Sequence, residues 1–340
     1  MGTGHVMRCF ALAQAWQDAG GRPVFAIAEG APAIRERLLA DNMELVPLEI
    51  SAGGDDDARK LTELALHHAA QWVIVDGYHF GAGYQRQLKS AGLKLLFMDD
   101  NGHAGHYCAD LVLNQNVHAD ESLYVSREHY TELLLGPRYA LLRREFAHWH
   151  DWKREIAPIG CKVLVTMGGS DPDNVTARVI EALGMVGVDG LEAEVVIGGS
   201  NPHSDSLGRL AARCGDRVKL QRDVSNIPEL MAWADVGVSA AGTTCWEMCL
   251  LGLPAILIDL AENQRPIAEE LDRRRCAFYF GGRGDVHNRK MAAKLEWLLL
   301  SRDDRLACSN LASKLVDGRG VTRVIDMMDL GKPDAHRMPL

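Results

Sequence analysis

Short apolar runs alternate with amphipathic stretches along most of this chain. Runs rich in Val, Ile and Leu fall at 23–28, 44–48, 72–75, 93–98 and 111–114 in the first half. In the second half they fall at 162–167, 193–197, 218–221, 236–240, 254–258 and 277–280. Each reads as a strand. Between them, apolar residues recur at helical spacing, as in Val6, Phe10, Ala13 and Trp16. The spacing predicts helices over 33–42, 58–70, 175–185, 227–234, 244–252 and 264–275, and two more reaching about 316. Nearly continuous apolar strands separated by helices mean parallel sheets covered on both faces. The expected fold class is α/β, with two doubly wound, Rossmann-like halves facing across a cleft.

A chain of 340 residues is long for a single core, so two domains are expected. The pattern breaks after Gly136-Pro137, in a charged stretch that carries Trp149 and Trp152, and again at Pro158 and Gly160. This predicts an N-terminal domain over 1–142, a linker over 143–159, a C-terminal domain over 160–330 and a frayed tail over 331–340. The run at 111–114 reads as the last strand of the first half.

The candidate chemistry lies where strands end. The stretch 235–264 reads as strand, tight turn, helix, strand and loop. A buried strand feeding the turn Ala241-Gly242 and a helix opening at Thr243 or Thr244 makes an anion site, because unpaired amides and the positive dipole end point one way. Glu247, one turn inside that helix, is placed to accept from a ribose diol. Asn263 and Gln264 follow the next strand and face the same crevice. The alternative is plain capping, with Thr244-x-x-Glu247 as a capping box. Gly168-Gly169-Ser170 repeats the strand, glycine turn and helix arrangement at 162–185. Asp171-x-Asp173 matches a metal motif in letters, but Asp just before a helix reads as a cap.

The chain opens on Gly2-Thr3-Gly4-His5, which leads straight into a helix that also carries Arg8. Glycines at 2 and 4 let backbone approach a ligand closely. An imidazole at a helix mouth suits a neutral general base, and a surface His in a glycine turn is the alternative. A doubly wound domain places a strand before such a loop, and this sequence has only Met1 there. The first sheet is therefore expected to show a gap or an unpaired edge. Tyr78 follows the run at 72–75 and reads as a sugar contact or as packing under its loop. His103 and His106 beside Asp99 and Asp100 resemble a loose metal cluster, and a solvated loop is the preferred reading.

Composition narrows the partners. The formal charge of −9 argues against a nucleic-acid surface. Basic residues are scattered apart from Arg273-Arg274-Arg275, which reads as a solvated helix face. The eight cysteines form no C-x-x-C pair and read as buried thiols, Cys245 and Cys249 included. No apolar run reaches the length of a membrane span and no leader precedes the first helix, so a cytoplasmic monomer is expected, with peripheral membrane contact left open.

Several motifs then coincide in order: G-T-G-H-V-M-R at 2–8, V-D-G-Y at 75–78, D-L-V-L-N-Q-N at 110–116, L-G-P-R-Y-A-L-L at 135–142, G-G-S-D-P at 168–172, S-A-A-G-T-T-C-W-E at 239–247 and A-E-N-Q at 261–264. Together they resemble the UDP-sugar hydrolases of the pseudaminic acid pathway, which act on UDP-2,4-diacetamido-2,4,6-trideoxy-β-L-altrose, and similar chains of spore-coat polysaccharide synthesis. The resemblance covers nearly the whole chain. It implies a GT-B fold with UDP held by the second domain. It implies His5 as the base that activates water for inverting attack, with Gly4, Arg8 and Tyr78 contacting substrate. It implies Gly169, Ser170, Ala241, Gly242 and Thr243 around the diphosphate, Glu247 on the ribose, and Asn263 and Gln264 near the sugar. It implies no metal and no cofactor, with helix N-termini stabilising the departing diphosphate. A glycosyltransferase using a UDP-sugar donor, and a non-catalytic sugar-nucleotide-binding subunit, stay open as alternatives.

Overall fold

A computed structural model describes residues 3–27 and 32–329. The chain divides into two compact units, one formed by His5–Arg144 with the segment that starts at Arg319, the other by Glu145–Gly318 with the segment that ends at Gly4, so the first turn of the opening helix is grouped with the second unit.

The first unit opens with α1 (Thr3–Asp18), β1 (Val24–Ile27), α2 (Pro32–Ala40) and β2 (Glu44–Pro47). It continues through α3 (Asp55–His67), β3 (Val73–Asp76), α4 (Ala82–Ser90), β4 (Leu95–Met98), β5 (Leu111–Asn114) and β6 (Glu132–Leu135). β1 and β2 pair in parallel as a two-stranded sheet, and β3-β4-β5-β6 form a separate parallel sheet in that order. Among the described residues β1 and β3 each have one ladder partner, so the expected unpaired edge is present. Ile74 on β3 is correspondingly exposed, whereas every residue of β4 and β5 is buried. The run at 111–114 is not the last strand of this half, because Leu133 to Leu135 extend the sheet as β6. The helix α4 was not expected either. Its segment AGYQRQLKS has few apolar positions, and it is held by burial of Tyr84, Gln85 and Leu88.

The second unit runs β7 (Lys162–Thr166), α5 (Val175–Leu183), β8 (Glu192–Ile197), α6 (Ser204–Arg213), β9 (Val218–Arg222) and α7 (Ile227–Trp233). It goes on through β10 (Val236–Ala240), α8 (Thr244–Leu250), β11 (Ala255–Asp259), α9 (Arg265–Arg273), β12 (Phe278–Gly282), α10 (Asn288–Leu300) and α11 (Arg302–Leu315). Its six strands are parallel, in the order β12-β11-β10-β7-β8-β9. Numbered within the unit, that is 6-5-4-1-2-3, the doubly wound order that binds ligands where the strand sequence reverses. The reversal lies between β7 and β10. β10 and β11 are buried along their whole length, as strands covered on both faces must be. Cys245 and Cys249 are buried in α8.

The final helix, α12 (Gly320–Asp329), belongs to the first unit. Its Val324, Ile325 and Met328 join Ala11, Leu12, Leu96 and Leu113 in one core. The expected second-domain boundary at 330 is therefore displaced to Gly318, because this helix buries its apolar face against elements of the first unit. The expected frayed tail at 331–340 lies outside the described residues. No helix among the described residues is long and apolar enough to cross a membrane.

Candidate active site

In the first unit, polar side chains converge at the carboxyl ends of β3, β4 and β5. Gly4 and His5 lie in the first turn of α1, and Arg8 follows one turn later on the same face. His5 Nδ1 lies 2.7 Å from Asp76 Oδ1, with the His5 side chain 11% exposed and that of Asp76 4% exposed. Arg8 Nη2, a donor, also lies 3.1 Å from Nδ1, but the carboxylate contact is the shorter and a carboxylate only accepts, which favours the proton on Nδ1 and the lone pair on Nε2.

Arg8 binds Asp76 through Nε at 2.7 Å and Nη2 at 2.6 Å, and reaches Asp100 through Nη1 at 2.7 Å. Asp100 also accepts from the Tyr78 hydroxyl and from Asn116 Nδ2, each at 2.8 Å. Burial works to raise the Asp76 pKa, but the hydrogen bond and charge of Arg8, with His5, outweigh it and hold the carboxyl below its ordinary value. Asp100 follows the same logic. Burial opposes ionisation, and Arg8, Tyr78 and Asn116 bring its pKa down to about 2. Both carboxylates are ionised and fixed.

Arg8 is buried, with its guanidinium committed to two carboxylates. Tyr78 is part exposed. It donates to Asp100, and its ring meets the His5 ring edge-on at 5.1 Å. Asp99 and Asp100 are not in a solvated loop, being 1% and 8% exposed. Asp99 accepts from the Asn101 and Gly102 amides and from the Tyr107 hydroxyl, and His103 Nδ1 lies 3.3 Å from it. The hydrogen bond to Asp99 raises the His103 pKa, with burial opposing. His106 is elsewhere, against Ser126 and Glu128, so the two histidines share no site.

Asp76 and Asn116 were not singled out from sequence, and Asp100 was named only beside His103 and His106. Their signal was position. Each ends or follows one of three consecutive parallel strands, and a buried Arg one turn after His5 demands carboxylate partners.

In the second unit, both expected glycine turns flank the strand reversal, after β7 and after β10. They are not equivalent. Asp171 is buried and accepts from the Val175 and Thr176 amides at 2.9 and 2.8 Å. The cap reading of Asp171 therefore holds, and the first amides of α5 are already taken. Asp173 pairs with Arg283. At α8 the N-cap residue is Thr243 and no side chain caps it, so the Thr244–Glu247 capping box is not formed. Glu247 is buried one turn further along.

Gln264 folds back on the turn. Its Oε1 accepts from the Leu260 amide at 2.9 Å, and its Nε2 would lie 3.7 Å from a Cβ added at Gly242. Asn263 is in the same short 3-10 turn. Asp259, unremarked in the sequence, ends β11 as a buried carboxylate that receives the Tyr279 hydroxyl and Arg265.

On the other side of the reversal, Ser170 is exposed and Gly169 half-buried. A Cβ at Gly198 would fall 2.4 Å from the Gly169 carbonyl oxygen, and one at Gly199 would fall 2.2 Å from Asp223 Oδ2. The loops after β7 and β8 thus meet by backbone approach that only glycine permits, and the Gly199 amide donates to the Asp223 side chain in the loop after β9. The structure therefore brings Gly242 and Gln264 together, gathers Gly169 with Gly198, and places Glu247 and Asn263 on the elements that follow β10 and β11.

Comparison with known proteins agrees with this layout. Residues 163–301 match the glycosyltransferase family 28 C-terminal domain. The chain is 26% identical over 233 residues to the spore coat polysaccharide biosynthesis protein SpsG of Bacillus subtilis, covering 68% of this chain and 67% of that one. It is 25% identical over 274 residues to an uncharacterized protein, MJ1062, of Methanocaldococcus jannaschii, covering 78% of this chain and about half, 54%, of the relative's length. Among solved structures it is similar to MurG of Acinetobacter baumannii, with a TM-score of 0.66 at 15% identity and 96% of each chain covered. It is also similar to Anabaena HepE in complex with UDP and glucose, with a TM-score of 0.59 at 14% identity, covering 97% of this chain and 96% of that one. These likenesses establish the GT-B fold expected from the sequence.

Proposed function

We propose that this chain hydrolyses a UDP-linked diacetamido-trideoxy sugar to UDP and the free sugar, with inversion at the anomeric carbon, in surface polysaccharide or nonulosonic acid synthesis. The observation that carries the reading is the His5–Asp76 pair, an imidazole whose Nδ1–H is held by an ionised, Arg8-anchored carboxylate. In this reading Nε2 takes a proton from water as the water oxygen bonds to the anomeric carbon. The bond from that carbon to the diphosphate oxygen breaks, and UDP leaves with the electron pair. Asp76 stabilises the imidazolium that forms, as the carboxylate of a hydrolytic triad does.

The second unit holds the nucleotide. The diphosphate falls to the Ala241-Gly242-Thr243 turn, with Gly169 and Ser170 across the reversal point, because Asp171 already occupies the amides of α5. Glu247 takes the ribose hydroxyls, and Asn263 and Gln264 lie by the sugar. Binding of UDP by full-length protein, followed by calorimetry, tests this half of the reading. Glu247→Gln should weaken it about tenfold, the worth of a charged hydrogen bond. Unchanged affinity would remove Glu247 from the site.

A second reading is transfer of the sugar to an acceptor hydroxyl on the same frame. The match of residues 163–301 to a glycosyltransferase domain favours it. The acceptor requirement separates the two, since hydrolysis releases UDP in water alone and transfer releases it only with acceptor present. Tight UDP binding with turnover of no UDP-sugar would favour the non-catalytic subunit.

A further inference from the structure

On the first unit, away from the His5 network's own side chains, two segments run side by side through the parallel bridge Tyr107↔Arg127. The Tyr107 amide donates to the Ser126 carbonyl, and the Glu128 amide donates to the Tyr107 carbonyl. In extended backbone, alternate residues share a face. His106 and Cys108 from one segment and Ser126 and Glu128 from the other therefore come together.

His106 Nε2, the Cys108 sulfur and a Glu128 oxygen lie within 4.8 Å of one another, with Nε2 to Oε1 at 3.2 Å. Zinc bond lengths of 2.0–2.3 Å in a tetrahedron put ligand atoms about 3.4 Å apart. Nε2 and Oε1 are already near that spacing, and the sulfur, within 4.8 Å of both partners, is in reach of an ion that draws it in. His106 Nδ1 lies 3.0 Å from Ser126 Oγ. Without an ion Glu128, which only accepts, takes Nε2–H, and the Ser126 hydroxyl can donate to Nδ1; with a cation on Nε2 the same hydroxyl accepts Nδ1–H, the usual outer partner of a metal-bound histidine. The His106 and Glu128 side chains are 33% and 41% exposed, so an ion has access from solvent.

We propose that His106, Cys108 and Glu128 form a binding site for a zinc-like divalent cation, with water in the fourth position. The mixed N, S and O donor set fits zinc and excludes magnesium or calcium, which take oxygen. Binding releases the Cys108 proton. The site is structural rather than catalytic. It clamps residues 106–108 to 126–128, and Tyr107 between the ligands donates to Asp99. It is independent of the metal-free chemistry proposed at His5.

The test is spectroscopic. Full-length protein stripped with a chelator is titrated with Co2+, then with Zn2+. One equivalent of Co2+ should give the strong visible bands of four-coordinate cobalt and a sulfur-to-cobalt charge-transfer band, both erased by Zn2+. Cys108→Ala should abolish the charge-transfer band. His106→Ala, at a part-exposed position that the fold tolerates, should weaken Co2+ binding at least tenfold, as should Glu128→Gln. Cys161→Ala, in the other unit, should change nothing. No charge-transfer band in the unsubstituted protein, a band that survives Cys108→Ala, or unchanged affinity in His106→Ala would each overturn the site.

Discussion

Arg8 ties the polar groups of the first unit together. Its guanidinium is buried and bridges Asp76, which holds His5, to Asp100, which holds Tyr78. Removing one member of such a buried pair leaves the other uncompensated, at a cost of about 3 kcal/mol. Asp76→Asn should therefore lower the melting temperature. It should also lower kcat about 100-fold by releasing His5, with UDP affinity within twofold of the unsubstituted protein. Equal loss of kcat and UDP affinity would mean collapse of the fold instead.

The same groups set a pH window. Asp100 has a folded pKa of about 2 against an ordinary 3.8, so its contribution to stability is full above about pH 4 and is lost as pH falls toward 2. His103 is raised above 6.5, so its contribution is full below that pH and is lost as pH rises through its folded value. Thermal melts across pH should show both limbs. Asp100→Asn should flatten the acid limb and His103→Gln the other, and limbs unchanged by these substitutions would contradict the assignment. His5 was legible in the sequence because G-x-G-H is a local pattern. Asp76 and Asp100 were not, because their partner Arg8 lies 68 and 92 residues away and only the fold shows which strand ends converge.

At the scale of elements, loop geometry makes a sharp distinction between glycines. A Cβ at Gly198 would strike the Gly169 carbonyl at 2.4 Å, whereas one at Gly242 would meet Gln264 at an ordinary 3.7 Å. Gly198→Ala should push apart the loops after β7 and β8 and weaken UDP binding at least tenfold. Gly242→Ala meets no such clash within the protein and should leave the melting temperature unchanged, so any loss of UDP affinity it causes, read by calorimetry, reports on the nucleotide itself. Full UDP affinity in both variants would place the nucleotide elsewhere.

The strands of the second unit were legible because parallel strands buried on both faces are unbroken apolar runs, as in Val236 to Ala240 and Ala255 to Asp259. The helices α4 and α6 were not. AGYQRQLKS and SDSLGRLAAR carry mostly polar residues, and each buries only two or three side chains. β6 escaped notice because ELLL carries leucines and no β-branched or aromatic residue, unlike VIVD of the equally short β3.

Across the whole molecule, the division into units follows packing rather than sequence order. The break near residue 143 was legible from Gly, Pro and charge. The return of the chain was not, because α12 looks like any amphipathic helix until its partners in α1 and β4 are known. Val324 is fully buried there. Val324→Asp should place an unpaired charge in that core and lower the melting temperature of the first unit, while UDP binding by the second persists; a melt unchanged from the parent would contradict the division.

The most direct measurement is UDP release from a UDP-linked diacetamido-trideoxy sugar in water without acceptor, with the anomer of the free sugar read by NMR, for the unsubstituted protein and for His5→Asn. The account predicts steady release of UDP with inverted sugar, reduced at least 100-fold by His5→Asn. Release that needs an added acceptor, or that proceeds undiminished in His5→Asn, would contradict it.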